Sequence, residues 1–230
     1  MISVCMATFN GCLYIQEQLV SILQQLSEKD EVVIVDDHSN DNTVEIVQKL
    51  KDKRIRTIEN QSNVGPIRSF QRAIENSRGD YIFFADQDDI WLDGKIDKVM
   101  KSFKEGADLV VHDSKVTDAN LKVISNSWNN YNQNKFRKSY IWTIIKNPFT
   151  GADMAITRNI LRVIMPFPKK IPMHDWWIGC VCQKMHLKIC ILRDPLILYR
   201  RHGNNVTGKA HQPWQMIKNR LNLVAKVWRR

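Results

Sequence analysis

In Tyr81-Ile82-Phe83-Phe84-Ala85-Asp86-Gln87-Asp88-Asp89 an apolar run stops abruptly at three carboxylates. A short run of this kind, rich in aromatic and β-branched residues, reads as a strand buried on both faces. Acids this close repel one another, and a cation bound among them relieves the cost. Mg²⁺ or Mn²⁺ suits such a turn, because both take oxygen ligands and leave positions open for phosphates. Acids also cap helices and solvate loops. The location at the end of a buried strand favours the metal.

The same grammar repeats toward the N-terminus. Ile2–Thr8, Glu31–Asp36 and Arg54–Ile58 read as strands, and Leu109–Val111 as a fifth beyond the acidic turn. Apolar residues at helical spacing occupy Leu13–Gln25, the stretch after Asn40-Asp41, Ile67–Ile74 and Asp93–Phe103. Alternating strands and helices predict an α/β fold with a mostly parallel central sheet and helices on both faces. Ligands of such sheets bind at the carboxyl ends of the strands. That rule selects Thr8–Asn10, Asp36–Asp41, Asn63–Gly65 and Asp86–Asp89, all polar. The second of these also reads as a capped turn, since Ser39, Asn40 and Asp41 are good helix caps.

Beyond residue 112 the pattern loosens. Ser125–Lys138, rich in Asn and Gln, reads as a long loop or lid. Gly151–Thr157 and Leu187–Leu192 read as strands, Arg158–Ile164 and Asp175–Met185 as helices. No linker or repeat divides the chain, which predicts a single domain over 1–230. The regular stretch 1–112 is followed by a less regular stretch 113–212 and a basic C-terminal helix (213–230).

Composition bounds the function. With 43% hydrophobic and 25% charged residues the 230-residue chain reads as globular. It has neither a membrane-spanning run nor a secretory signal, so a cytoplasmic location is expected. Cys5, Cys12, Cys180, Cys182 and Cys190 lack a disulfide or zinc spacing and read as free thiols. The formal net charge is +10. Lys218, Arg220, Lys226, Arg229 and Arg230 interleave with apolar residues as a basic amphipathic helix. It suits either an anionic membrane surface, with peripheral attachment to the inner face of the cell membrane, or packing on the domain with a solvated basic face. No nucleic-acid-reading motif occurs. No Gly-x-Gly or P-loop motif is present, so phosphates must be held by metal and side chains.

The order Ala7-Thr8-Phe9-Asn10-Gly11, Val35-Asp36-Asp37-His38-Ser39-Asn40-Asp41, Asn63-Val64-Gly65, Gly79-Asp80-Tyr81 and Asp86-Gln87-Asp88-Asp89-Ile90-Trp91 resembles the family 2 glycosyltransferases, which adopt the GT-A fold. Thr150-Gly151-Ala152-Asp153-Met154 is similar to the family's acceptor-side segment, and Met173-His174-Asp175-Trp176-Trp177 to the place of its catalytic acid residue. Tyr199-Arg200-Arg201-His202-Gly203-Asn204-Asn205 resembles the late segment that closes over the donor diphosphate. Among bacterial members the match is to rhamnosyltransferase-like enzymes of surface-polysaccharide assembly.

The resemblance implies inverting transfer from a nucleotide-sugar donor, UDP- or dTDP-linked, to a hydroxyl of a glycan or lipid-linked glycan acceptor, with 1–112 as the nucleotide-sugar-binding half and 113–212 as a smaller acceptor-binding and catalytic half. Thr8, Asn10, Asp36, Asp37, Asn63, Gly65, Asp86, Gln87, Arg200 and Arg201 would bind the donor, with Asp37 at the base. Asp86, Asp88 and His202 would hold Mg²⁺ or Mn²⁺, with Asp86 on the ribose or the metal. Asp175 would be the general base, and Gly151, Ala152, Asp153, Trp176 and Trp177 would face the acceptor, one tryptophan as platform and one as core. The competing expectation is a non-catalytic nucleotide-sugar-binding or scaffold subunit of a polysaccharide assembly complex. Nucleotidyltransferases and aspartyl phosphatases fit less well, since Met1–Gly11 has no glycine-rich basic loop and Thr8-Phe9-Asn10 replaces Asp-x-Asp.

Overall fold

The computed structural model describes residues 1–203 and 213–230. Asn204 and Asn205 of the late segment lie outside the described residues. The strands are β1 (Ile2–Thr8), β2 (Glu31–Asp36), β3 (Ile55–Glu59), β4 (Tyr81–Ala85), β5 (Ile90–Trp91), β6 (Leu109–Thr117), β7 (Val123–Ser125), β8 (Met154–Thr157) and β9 (Ile189–Arg200). The helices are α1 (Ile15–Leu23), α2 (Thr43–Lys49), α3 (Pro66–Asn76), α4 (Lys95–Lys104), α5 (Trp128–Tyr131), α6 (Tyr140–Ile145), α7 (Leu161–Ile164), α8 (His174–Lys184) and α9 (Pro213–Trp228).

One sheet runs in the order β3-β2-β1-β4-β8-β6-β9-β5, with β7 attached to β6. The four strands on the β3 side are all parallel, and β6 and β9 pair in parallel farther along. β8 is inserted antiparallel between β4 and β6. Side chains alternate across this sheet, as strand geometry requires. Cys5, Val33, Val35, Ile82 and Phe84 enter a core shared with α3 and α8, while Val4, Met6, Val32, Ile34 and Phe83 enter one shared with α1 and α4. Helices therefore cover both faces, as the alternation predicts.

Two strands are longer than expected. β6 continues to Thr117 and β9 to Arg200. Pro195 has no N–H to donate, and it faces Asp113 where the β6–β9 register shifts, so the ladder survives a residue that normally ends a strand. The expected loop at Ser125–Lys138 contains the short helix α5, pinned by Trp128 Nε1 donating to Thr150 Oγ1 at 2.9 Å. α6 is a further addition; its six residues are too few to show a helical period.

Candidate active site

The carboxyl ends of β1, β2 and β4 lie side by side, in register from Thr8–Asp36 to Met6–Ala85. Loops leaving them are tied together by side chains. Both Asp36 carboxylate oxygens accept from the Ser39 N–H, at 3.2 and 3.1 Å. Asp37 is buried; its Oδ1 accepts from Asn60 Nδ2 and Val64 N, both at 2.8 Å, and its Oδ2 from Gly65 N at 2.7 Å. Asp37 thus fixes the loop that leads into α3, where Gly65 takes φ +85° and Pro66 occupies the first helical position. Asn63 sits exposed on the rim of that loop. Asn10, left-handed at φ 50°, accepts from Asn40 N at 2.9 Å and so clamps the first loop to the second. Thr8 Oγ1 is buried without a hydrogen-bond partner among the described residues. Gln87 bonds both ways to the Phe9 backbone, at 2.9 and 3.1 Å.

The acidic turn divides its labour. Helix α1 supports it through Gln18 Nε2, which donates to Asp86 O at 2.7 Å. Burial, and after it the charges of Asp88 and Asp175, pushes the Asp86 carboxyl up to about 7. His202 Nε2 lies 2.7 Å from Asp88 Oδ2, and its ring stacks on Tyr14 with centroids 4.8 Å apart. Asp89 is turned inward: its Oδ1 accepts from Arg200 N at 3.0 Å, and burial first, then its two neighbouring acids, raises its pKa well above the carboxylate range. The antiparallel pairing of β5 with β9, Ile90 opposite Leu198, brings this late segment onto the turn. Arg200 reaches Glu17 Oε2 at 2.6 Å and Ala119 O at 3.2 Å, and lies over Tyr14. Arg201 reaches Tyr131 Oη at 3.0 Å. Asp88 and His202 are thus in contact, and Asp86 lies near enough to feel the charge of Asp88; carboxylate oxygens and an imidazole nitrogen are donor types that Mg²⁺ or Mn²⁺ accepts. Among the described residues no three acid, His or Cys groups form a closed ligand cluster by themselves. An ion completed by substrate phosphates needs no closed cluster.

Opposite the acidic turn, Asp175 occupies the first turn of α8. It accepts from Trp176 N at 2.6 Å, yet burial prevails and lifts its carboxyl to about 7. His174 before it is packed between Phe70 and Phe84, with centroids 4.2 and 5.5 Å away, and burial drops its pKa to about 3. Gly151 is required beside it, since a Cβ there would meet His174 Nε2 at 2.7 Å. Trp177 is wholly buried, its Nε1 donating to Ile164 O at 2.8 Å. Trp176 is half-buried and donates to Thr143 O at 2.6 Å. Ala152 and Asp153 are buried as well.

Sequence reasoning missed what lies under the site. Lys95, 1% exposed, donates from Nζ to Ala152 O at 3.1 Å and lies over the Trp91 ring. Burial lowers its pKa to about 7, opposed by the charges of Asp153, Asp89 and Asp86. Asp153 in turn accepts from Ser114 Oγ and stands 3.4 Å from His112 Nδ1. This buried amine ties the helix that follows the acidic turn to the segment beside His174. A lysine at a helix start reads as solvated, and only the β4–β8 pairing, Phe83 opposite Ala155, sets Asp153 near it.

Parallel strands whose carboxyl ends carry acids, met by the late strand β9, form an α/β fold that matches solved GT-A glycosyltransferases. S. aureus TarS solved with UDP-GlcNAc superposes with a TM-score of 0.73 at 20% identity, covering 98% of this chain and 66% of TarS. A Pyrobaculum calidifontis mannosyltransferase solved with GDP-Man and Mn²⁺ gives 0.66 at 19% identity, over 100% of this chain and 64% of its own. The chain thus spans about two thirds of these solved neighbours. Residues 3–164 match the family model described as Glycosyl transferase family 2, and the chain belongs to that family of transferases. The dTDP-rhamnosyl transferase RfbG of Shigella flexneri is 30% identical over 98% of this chain and 81% of its own length. An Escherichia coli protein named UDP-Glc:alpha-D-GlcNAc-diphosphoundecaprenol beta-1,3-glucosyltransferase is 35% identical over 42% of this chain and 38% of its own.

Proposed function

We propose that the protein transfers a sugar, with inversion, from a UDP- or dTDP-sugar to an acceptor hydroxyl in the synthesis of a bacterial cell-surface polysaccharide such as O-antigen, capsule or exopolysaccharide. The observation that supports this is the contact of His202 with Asp88 beside Asp86, whose carboxyl feels the charges of both Asp88 and the buried Asp175.

In this reading Thr8, Asn10, Asp36, Asp37, Asn63 and Gly65 hold the nucleoside at the carboxyl ends of β1 and β2. Asp86, Asp88 and His202 would hold Mg²⁺ or Mn²⁺, which when bound offsets the negative charge that develops on the leaving diphosphate. Gln87 keeps the donor loop closed on the acidic turn, and Arg200 and Arg201 add positive charge at the same end. The acceptor hydroxyl gives its proton to a carboxylate oxygen of Asp175 as its oxygen bonds to the anomeric carbon. The bond from that carbon to the diphosphate breaks on the opposite face, so the configuration inverts. A base with a pKa of about 7 balances availability against proton affinity at neutral pH. Gly151, Ala152 and Asp153 shape the acceptor side from beneath, Trp176 offers the sugar an aromatic face, and Trp177 serves the core.

The acceptor is proposed to be a glycan or lipid-linked glycan at the inner face of the cell membrane, a class consistent with the diphosphoundecaprenol in the E. coli relative's name. NMR of the transferred product tests the mechanism. Inverted configuration is expected; retention would refute in-line displacement by an acceptor that Asp175 deprotonates.

A further inference from the structure

Helix α9 has two apolar sides. Its inner side is docked: Leu223 and Val227 are wholly buried, and Lys184 Nζ donates to Val227 O and Trp228 O, both at 2.9 Å. Arg220 adds a bond to Ile145 O of α6 at 2.7 Å. On another side Trp214, Ile217, Leu221, Val224 and Trp228 recur every three or four residues, which aligns them in one stripe. All five are 44–78% exposed. Next to this helix α6 exposes Ile141, Trp142 and Ile145. A docked helix gains nothing for the fold from a second apolar stripe, and exposed apolar surface of this extent marks an interaction site.

Charge identifies the partner. Residues 119–152, which contain α6, hold five Lys or Arg and no acid; residues 213–230, which contain α9, hold five and no acid. These two segments together equal the whole formal net charge of +10. At 100° per residue Lys218 flanks the stripe on one side and Arg220 on the other. A second copy would set one acid-free basic face against another, which like-charge repulsion disfavours. An anionic bilayer satisfies both features: apolar side chains enter the boundary between headgroups and acyl chains, and the flanking cations meet lipid phosphates. Trp214 and Trp228, at the two ends of the stripe, are the residue type that favours that boundary.

We propose that the α6–α9 face docks the protein on an anionic membrane surface. The face is one helix away from the candidate base, because Trp176, adjacent to Asp175, donates to Thr143 O within α6. Docked this way, the protein would receive an acceptor glycan whose lipid stays in the bilayer. That last placement rests on the glycosyltransferase reading; the docking itself does not.

The test is sedimentation of the purified chain with phosphatidylcholine vesicles and with vesicles containing roughly 30% phosphatidylglycerol, with donor hydrolysis measured in the same samples. At least about tenfold stronger partition into the anionic vesicles is expected, weakening as salt rises. Leu221→Glu, which changes only an exposed position, should abolish it with the melting temperature unchanged. Independently of that variant, brominated phosphatidylglycerol should quench the tryptophan fluorescence of the unaltered protein, and Trp142→Phe, Trp214→Phe and Trp228→Phe together should remove most of that quenching. Failure of the unaltered protein to bind anionic vesicles would overturn the proposal, as would undiminished binding by folded Leu221→Glu. So would a dimer that Leu221→Glu converts to a monomer, which would assign the face to a second copy. Donor hydrolysis without vesicle binding would overturn the docking alone, and vesicle binding without hydrolysis the catalytic reading alone.

Discussion

His202 Nε2 lies 2.7 Å from Asp88 Oδ2 although 114 residues separate the two in sequence. The β5–β9 pairing makes this contact, with Trp91 opposite Ile197 fixing how far the late strand reaches. If both residues serve the metal, His202→Ala raises the Mn²⁺ concentration for half-maximal donor hydrolysis by at least about tenfold. Nucleotide binding in EDTA should be unchanged. A metal titration indistinguishable from the unaltered protein would remove His202 from the ligand set.

Asp175→Asn should lower kcat by about 10²–10⁴-fold and leave donor affinity intact, since the base acts on the acceptor. The sign of the pH dependence follows from its raised pKa. The base works deprotonated, so the rate of the unaltered protein climbs as pH rises toward about 7 and levels above it. Steady-state rates from pH 5.5 to 8.5 check this; a rate flat or falling through 7 would rule Asp175 out.

The same carboxylate should cost stability. Its pKa rises from 3.8 to about 7 on folding, so the stabilising protonated form is fully present below about 3.8 and is lost as pH rises through about 7. Asp175→Asn, which cannot ionise, should therefore melt a few degrees higher than the unaltered protein at pH 8, with the gap closing toward pH 4. A lower melting temperature at pH 8 would contradict the buried-charge account.

Lys95→Met should be destabilising. It deletes the Nζ donor to the buried Ala152 O and the positive charge that offsets Asp86, Asp89 and Asp153, and leaving such a group unsatisfied costs about 1–3 kcal/mol. Urea unfolding measures it, and a loss below about 1 kcal/mol would mean that solvent already reaches these carboxylates.

The first four parallel strands and the loops at their carboxyl ends were legible because each buried run ends at a polar turn, as at Val35-Asp36 and Ala85-Asp86. What could not be read depends on long-range pairing. Lys95 looks like any lysine at a helix start until β8 sets Asp153 near it. The hydrogen bonds at Asp37 come from Asn60, Val64 and Gly65, a loop whose path no periodicity encodes. Pro195 hid the second half of β9, and with it the reason that Arg200 and His202 meet the acidic turn. The periodicity of α9 was visible, but that one apolar side docks while another stays exposed was not.

Gly151→Ala offers a probe of geometry alone. The added methyl would lie 2.7 Å from His174 Nε2, and the ring is held by Phe70 and Phe84, so the start of α8 must shift. Misplacing a catalytic group by about 1 Å costs on the order of 10²-fold, so kcat should fall by about that factor with donor KM unchanged. An unaffected kcat would show that Asp175 need not be held by this contact.

The most direct measurement is release of nucleoside diphosphate from UDP-, dTDP- and GDP-sugars by the purified chain, with Mn²⁺, with Mg²⁺ and with EDTA. The account predicts slow release from a UDP- or dTDP-sugar, abolished by EDTA and by Asp88→Ala, and accelerated by a lipid-linked glycan acceptor. Binding of a donor with no release under any condition, acceptor included, would contradict it and leave a nucleotide-sugar-binding scaffold.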